Sequence, residues 1–212
     1  AADTYAKGGL TNPTHPYWRH FEAQHVIHQP TYMSKYPPMF GLVLAAGQVS
    51  FGHPIVGVWI SCGLAAASTC WMLQAWTRPR WALCGTLWMI VCIGTFSNFA
   101  QTYWGGGMIT VAGGSLLFGG MRRIVRTPYW VDAILMAVGA LVLVNSRPFE
   151  GAVVTLPVAC LLAGWLLFSR RYPFTGKLCH VLLPFMVTFG IGLLAMGYNN
   201  RQVTGEWLTM PY

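Results

Sequence analysis

Between residues 55 and 198 the chain runs through six long stretches that carry almost no charge: 55–76, 81–100, 102–121, 130–145, 151–169 and 178–198. A helix needs roughly 20 apolar residues, about 17–25, to cross the hydrocarbon of a bilayer. Inside lipid the backbone has no water to bond, and a helix satisfies its own amides and carbonyls within one segment. Five of the stretches are long enough. The remaining one, 130–145, is shorter and has Asp132 near its start, which sets that acid toward the headgroups. A further apolar run, 39–51, reaches only about 20 Å at about 1.5 Å per residue, against a hydrocarbon core of roughly 30 Å. It reads as a short re-entrant or interfacial helix, which leaves residues 1–54 outside; the alternative is that it crosses, which makes the N-terminal segment cytoplasmic. The expectation is an all-α, polytopic transmembrane bundle of about six spanning helices plus that short one. It divides into an outer-face N-terminal loop (1–54, with the short helix at 39–51), the bundle (55–198) and an outer-face C-terminal segment (199–212).

Composition agrees. The chain is 55% hydrophobic and 8% charged, where soluble domains carry about 25% charged residues. So few ionised groups do not cover a water-facing surface. This excludes an ordinary cytosolic enzyme and a disordered protein. Thirteen Lys and Arg against five Asp and Glu give a net charge of +8, but placement argues against nucleic acid as the partner. Arg78 and Arg80, then Arg122, Arg123 and Arg126, then Arg170, Arg171 and Lys177 fall in alternate loops, and hence on one side. By the positive-inside rule that side is cytoplasmic. The other side collects Asp3, Glu22, Glu150 and Glu206, the arginines Arg147 and Arg201, and the histidines His15, His20, His25, His28 and His53. Chemistry is expected at this outer, polar end, in what reads as a bacterial inner-membrane protein. The chain opens on Ala1 without a basic start and apolar run, so it reads as processed or as part of a longer protein.

The six cysteines all lie in apolar stretches with no CxxC, and are expected as free thiols packed like small hydrophobes. Glycines cluster at Gly105, Gly106 and Gly107, at Gly113 and Gly114, and at Gly119 and Gly120. Small residues let membrane helices approach closely. A phosphate-cradling loop needs a following Lys-Ser/Thr, which is missing here.

Several polar constellations are candidates for function. His20, Glu22, His25 and His28 are ligand types that suit copper, zinc or iron, and His25 and His28 share a face if helical. The competing readings are a headgroup contact or a structural role. Lys35 precedes the double proline Pro37-Pro38, which begins a helix rigidly and holds the lysine at a corner. Arg147 and Glu150 lie in one short polar turn. Asn199 and Arg201 lie in another, followed by Glu206. Guanidinium binds phosphate bidentately. The alternative for each turn is internal pairing, Arg147 with Glu150 and Arg201 with Glu206. Asp3 and Glu22 are the N-terminal carboxylates, candidates for a general base or for solvated surface acids.

The block from Tyr36-Pro37-Pro38-Met39-Phe40-Gly41 to Ser50-Phe51-Gly52-His53-Pro54 resembles the double proline, short apolar helix and long helix of C-type (GT-C) membrane glycosyltransferases, such as protein-mannosyltransferase-like and aminoarabinose-transferase-like enzymes. Ala2-Asp3-Thr4-Tyr5 resembles the end of their first outer loop's opening helix, and 145–151 and 198–205 resemble turns of a bacterial branch. The resemblance implies transfer of a sugar from a polyprenyl-phosphate carrier to an acceptor at the outer face. An acid of the first outer loop would act as base or position the acceptor. Basic residues, here Lys35, Arg147 and Arg201, would bind the lipid phosphate with Glu150 and Asn199 beside them, and a divalent metal is an optional addition. The first membrane helix and its acidic motif would precede Ala1, so the chain resembles an internal piece of a larger enzyme. Partners implied are membrane lipid and the lipid-linked donor, with no nucleic acid; oligomeric state stays open. The alternatives are a metal-binding membrane oxidoreductase subunit built on the His20–His28 group and a non-catalytic scaffold or transporter fragment. The transferase reading requires the Pro37–Pro38 corner and the Arg147 turn to share a pocket.

Overall fold

Six apolar stretches joined by short polar turns fold here as helices that reverse direction at each turn. The computed structural model describes residues 1–103 and 107–211, and these are mostly helical. In chain order they form α1 (Ala2–Ala6), a 3-10 turn (Trp18–Phe21), a two-strand ribbon of β1 (Val26–Ile27) and β2 (Met33–Ser34), α2 (Pro38–Phe51), α3 (Ile55–Gln74), α4 (Pro79–Phe96), α5 (Gly107–Arg126), α6 (Trp130–Ser146) and α7 (Pro148–Phe168). Then α8 (Phe174–Lys177) passes through a π turn (Leu178–Leu182) into α9 (Leu183–Thr204), one continuous run of 31 residues. Prolines sit in the first turns of α2, α4 and α7, where a missing N–H is harmless. The expectation of all-α structure needs one correction. The antiparallel ribbon pairs Val26 with Ser34 and Ile27 with Met33, because the N-terminal loop uses backbone pairing to satisfy its amides.

Among the described residues, four helices are long and apolar enough to cross a membrane: α3, α4, α7 and the α8–α9 run. Helices α2 and α6 are apolar but shorter. The 20 residues of α5 include Arg122, Arg123 and Arg126 in its last turns. The outward faces of α4 and α7 expose Trp81, Trp88, Phe96, Leu156, Leu161 and Leu167. Apolar surface on that scale is compatible with a multi-pass integral membrane protein.

Side-chain contacts fix the directions. Thr69 and Ser115 share a buried hydrogen bond of 3.0 Å, and Arg123 Nη2 donates to the Trp71 carbonyl at 3.0 Å, so α3 and α5 run parallel. Helix α6 runs against α5, with Gly139 on Gly113 and Leu117, and Gly120 on Met136. Val181 joins Ala133 and Met136 in the main core while Gly192 meets Leu141, so α9 runs parallel to α6. One end of the bundle therefore carries Arg78, Arg80, Arg122, Arg123, Arg126, Arg170, Arg171 and Lys177. The other end, the crown, carries the N-terminal segment, the α6–α7 turn and the end of α9. Helix α2 folds back along α3 as an antiparallel hairpin closed by Gly52 (φ +78°). Gly47 and Gly57 lie backbone against backbone in its seam.

Helix boundaries differ from expectation at the polar turns. Arg122, Arg123 and Arg126 are helical, as are Phe174–Lys177 and the stretch Asn199–Thr204, because a helix already formed in an apolar segment continues through polar residues until a breaker stops it. Gly205 (φ +87°) is that breaker for α9. The six cysteines are free, but Cys84, Cys160 and Cys179 are exposed rather than packed inside. Periodicity does not separate a lipid-facing from a core-facing position when both are apolar. Gly113, Gly119 and Gly120 serve close helix contact as expected, whereas Gly114 faces open space. Gly105 and Gly106 lie outside the described residues.

Candidate functional site

At the crown, five elements converge on one small cleft. Lys35, Pro37 and Pro38 come from the corner before α2; Val144 and Asn145 from the end of α6; Pro148 from the start of α7; Met196 and Asn200 from α9; Met210 and Pro211 from the C-terminal segment. The corner and the α6–α7 turn thus meet. The enclosed space is about 20 Å³, room for about one water. Pro148 and Met210 are shared with a wider, open groove of about 520 Å³ lined also by Phe149, Glu150 and Ala152.

Local chemistry holds Lys35 in place. Its backbone N–H donates to the His25 carbonyl at 3.2 Å. The Tyr36 hydroxyl lies 2.8 Å from His25 Nδ1, with the two rings stacked. The ribbon is tied to the bundle by Thr31 Oγ1, which donates to the Val203 carbonyl at 2.8 Å. Asn145 and Asn200 are both buried. Asn145 Nδ2 donates to the Leu141 carbonyl at 3.0 Å, and Asn200 Nδ2 reaches the Trp207 carbonyl at 3.5 Å. Each amide donor is thereby turned onto backbone. The Lys35 ammonium is the cation of the cleft lining.

The remaining candidate residues are distributed differently. Arg147 caps the junction of α6 and α7 and pairs with Glu150, Nη1 to Oε1 at 3.1 Å. Internal pairing is therefore realised in that turn, and Glu150 lines the wide groove rather than the cleft. Arg201 does not take Glu206 as partner. Its guanidinium stacks over Trp207 at 5.7 Å, and Glu206 accepts the Thr209 hydroxyl. Asn199 is buried outside the cleft lining, and Asn200 occupies the place expected of it. The signal for this was available: Met196 and Asn200 are spaced i, i+4 and share a helix face, while Asn199 points about 100° away.

Asp3 stands on α1, which packs on α2 with Tyr5 against Gly41. Its carboxylate accepts Lys7 Nζ at 2.8 Å and Gln48 Nε2 at 3.3 Å. The Lys7 hydrogen bond, seconded by Gln48, holds its pKa below the ordinary 3.8. Burial pushes the Tyr5 hydroxyl up to about 12. Gln48 lies ten positions after Pro38, about 15 Å along α2, so Asp3 is outside the cleft. Glu22 is exposed just after the 3-10 turn.

The alternative metal set does not assemble. Among the described residues no three His, Cys, Asp or Glu side chains come together. His20 is exposed, and His25 is engaged with Tyr36. His28 is buried between Trp18 and Tyr32 with both ring nitrogens unpartnered. The helical spacing that would have joined His25 to His28 is replaced by extended backbone at Val26–Ile27.

No family model matches this chain, and neither a curated protein nor a solved structure matches it.

Proposed function

We propose that this protein is a C-type membrane glycosyltransferase or the membrane part of one, taking a sugar from a polyprenyl-phosphate carrier at the extracytoplasmic face of a bacterial inner membrane. In this reading α3, α4, α5, α6, α7 and the α8–α9 run make six crossings, and α2 is a non-crossing arm folded along α3. The arginine-rich end is cytoplasmic by the positive-inside rule. The observation that carries the reading is the meeting of the Lys35–Pro38 corner with Asn145, Pro148 and Asn200 in one cleft. Three separate polar segments of the sequence contribute to it, at the end where an apolar tail can lie along helices while a phosphate meets the lysine of the lining.

The chemistry follows from that placement. An acceptor hydroxyl loses its proton to a carboxylate and its oxygen forms a bond to the anomeric carbon. The bond from that carbon to the phosphate oxygen breaks, and polyprenyl phosphate leaves with the electron pair. Lys35, whose backbone is held by the His25 carbonyl, stabilises the charge that develops on the leaving phosphate. Asp3 lies outside the cleft and, held as an anion by Lys7 and Gln48, is a poor proton acceptor, because a carboxylate stabilised as an anion is a weaker base. Glu22, the other N-terminal carboxylate, is then the proton acceptor. With room for about one water, the cleft admits a phosphate only when the segment bearing Met210 and Pro211 moves aside.

The test compares binding of polyprenyl phosphate and the matching polyprenol to the full chain by native mass spectrometry. The phosphate form is expected to be retained selectively. Lys35→Ala is expected to lose that selectivity by about 10–100-fold, the worth of a hydrogen bond to a charged group. Arg201→Ala is expected to leave it unchanged. Equal retention of the two lipids, or wild-type selectivity in Lys35→Ala, refutes the reading.

A further inference from the structure

At the end of the bundle opposite the crown, eight basic side chains gather with Asp132 as their acid. The described ion pairs, Lys7 with Asp3 and Arg147 with Glu150, both lie at the crown. Two of the eight cations are consumed by the protein itself. Lys177 is buried and donates to the Leu166 and Ser169 carbonyls at 2.8 and 2.6 Å, beneath Trp165. Arg123 donates to the Trp71 carbonyl, lies 4.6 Å over the Trp71 ring and faces Asp132.

Arg122 and Arg126 are different. They are spaced i, i+4 on α5 and project from the same face. The Arg122 guanidinium is held 4.8 Å over the Trp76 ring and makes no hydrogen bond among the described residues, with its Nε shielded from solvent. The Arg126 side chain is exposed and likewise makes none. The Tyr172 hydroxyl donates to the Arg126 carbonyl at 2.8 Å and draws the next loop onto the end of α5. Arg171 comes with it, stacked 5.6 Å from the Tyr172 ring. Arg122 and Arg126 thus present unpaired donors from one face at the end of α5, and the loop bearing Arg171 is tied to that same end. Trp76, Tyr129, Trp130 and Tyr172 surround this end, and aromatic rings of that kind collect at the headgroup level.

We infer that Arg122, Arg126 and Arg171 form a seat for the phosphate of an anionic phospholipid in the adjoining leaflet. Arg122 and Arg126 act as a fork on the phosphate oxygens, and the stacking of Arg122 on Trp76 keeps the fork open in advance. This site is separate from the crown cleft and independent of the glycosyl-transfer reading.

The experiment uses the full chain with phosphatidylglycerol and phosphatidylcholine of identical acyl chains, read by native mass spectrometry and by lipid-dependent thermal stabilisation. Phosphatidylglycerol is expected to be retained in preference. Arg122→Gln with Arg126→Gln is expected to lower that retention about 25-fold, at about fivefold per arginine near a membrane surface, without changing phosphatidylcholine retention. Should the double variant fail to fold, Arg126→Gln alone, altering an exposed side chain with no partner, is expected to lower it about fivefold. Arg78→Gln with Arg80→Gln is expected to leave it intact. Equal retention of the two lipids overturns the seat. So does an equal loss from the Arg78 and Arg80 changes, which would mean diffuse attraction, or equal stabilisation by inorganic phosphate, which would mean that no lipid is recognised.

Discussion

Gly139→Ala tests the packing that brings α6 to the crown. Gly139 sits in the tight seam between α5 and α6. A methyl group there meets the Gly113 carbonyl oxygen at 2.6 Å, the Leu117 amide nitrogen at 2.7 Å and Leu116 Cβ at 3.0 Å. Two of these are backbone atoms of a regular helix and do not rotate away. Ordinary contact begins near 3.4 Å, so the helices must part by about 0.8 Å over this turn. Overpacking of this kind costs about 1–3 kcal/mol. Alanine is the better helix former by about 1 kcal/mol, which offsets part of it. The net expectation is a loss of about 0–2 kcal/mol, together with a displacement of Asn145 at the cleft. The control is Gly114→Ala, the neighbour of Gly113, turned about 100° round the helix so that it faces open space. Only the propensity gain applies there, so a rise of about 0.5–1 kcal/mol is expected. Both are read from thermal or denaturant unfolding in detergent, by circular dichroism. The ordering is the decisive result. If Gly139→Ala stabilises as much as Gly114→Ala, the seam is not sterically closed and the argument fails.

Two further outcomes are expected. Docking of α1 on α2 should weaken toward both extremes of pH, only slightly on the acid side because the Asp3–Lys7 pair is exposed. Asp3 has its pKa lowered by Lys7 and Gln48, so its contribution is present above the ordinary 3.8 and is lost as pH falls below it. Tyr5 is raised from 10.0 to about 12 by burial, so docking is intact below 10 and weakens between 10 and 12 as the phenolate becomes favoured in the undocked state. Tyr5→Phe should abolish the alkaline limb and leave the acid limb, checked by a fluorescence probe on α1. The Thr69–Ser115 hydrogen bond should show a coupling of about 0.6 kcal/mol, rarely above about 1.7, in a double-mutant cycle with Val and Ala; a coupling near zero would mean that α3 and α5 are held by shape alone.

The positions of the apolar helices could be read from the residues directly. Length and lack of charge identify 55–76 and 81–100 without reference to any neighbour, because the solvent requirement of such a segment is local. The short helix before Gly52 and the clustering of arginines in alternate turns were legible for the same reason. Ends were less so. Asn199, Asn200 and Arg201 look like a turn, yet they remain helical up to Gly205, because helix propagation through polar residues costs little once the apolar turns are formed.

Partnership was decided by the folded chain. Arg147 and Glu150 were visible as a possible pair or a possible ligand site, and only the geometry of the first turn of α7 joins them. Arg201 and Glu206 look equivalent on paper, but Trp207 intercepts the guanidinium. Residues 35, 145 and 200 are separated by more than 50 positions at each step, so no local rule brings them together. That meeting depends on how closely α5 and α6 pack at their glycines, a property of the backbones in contact and not of any one segment.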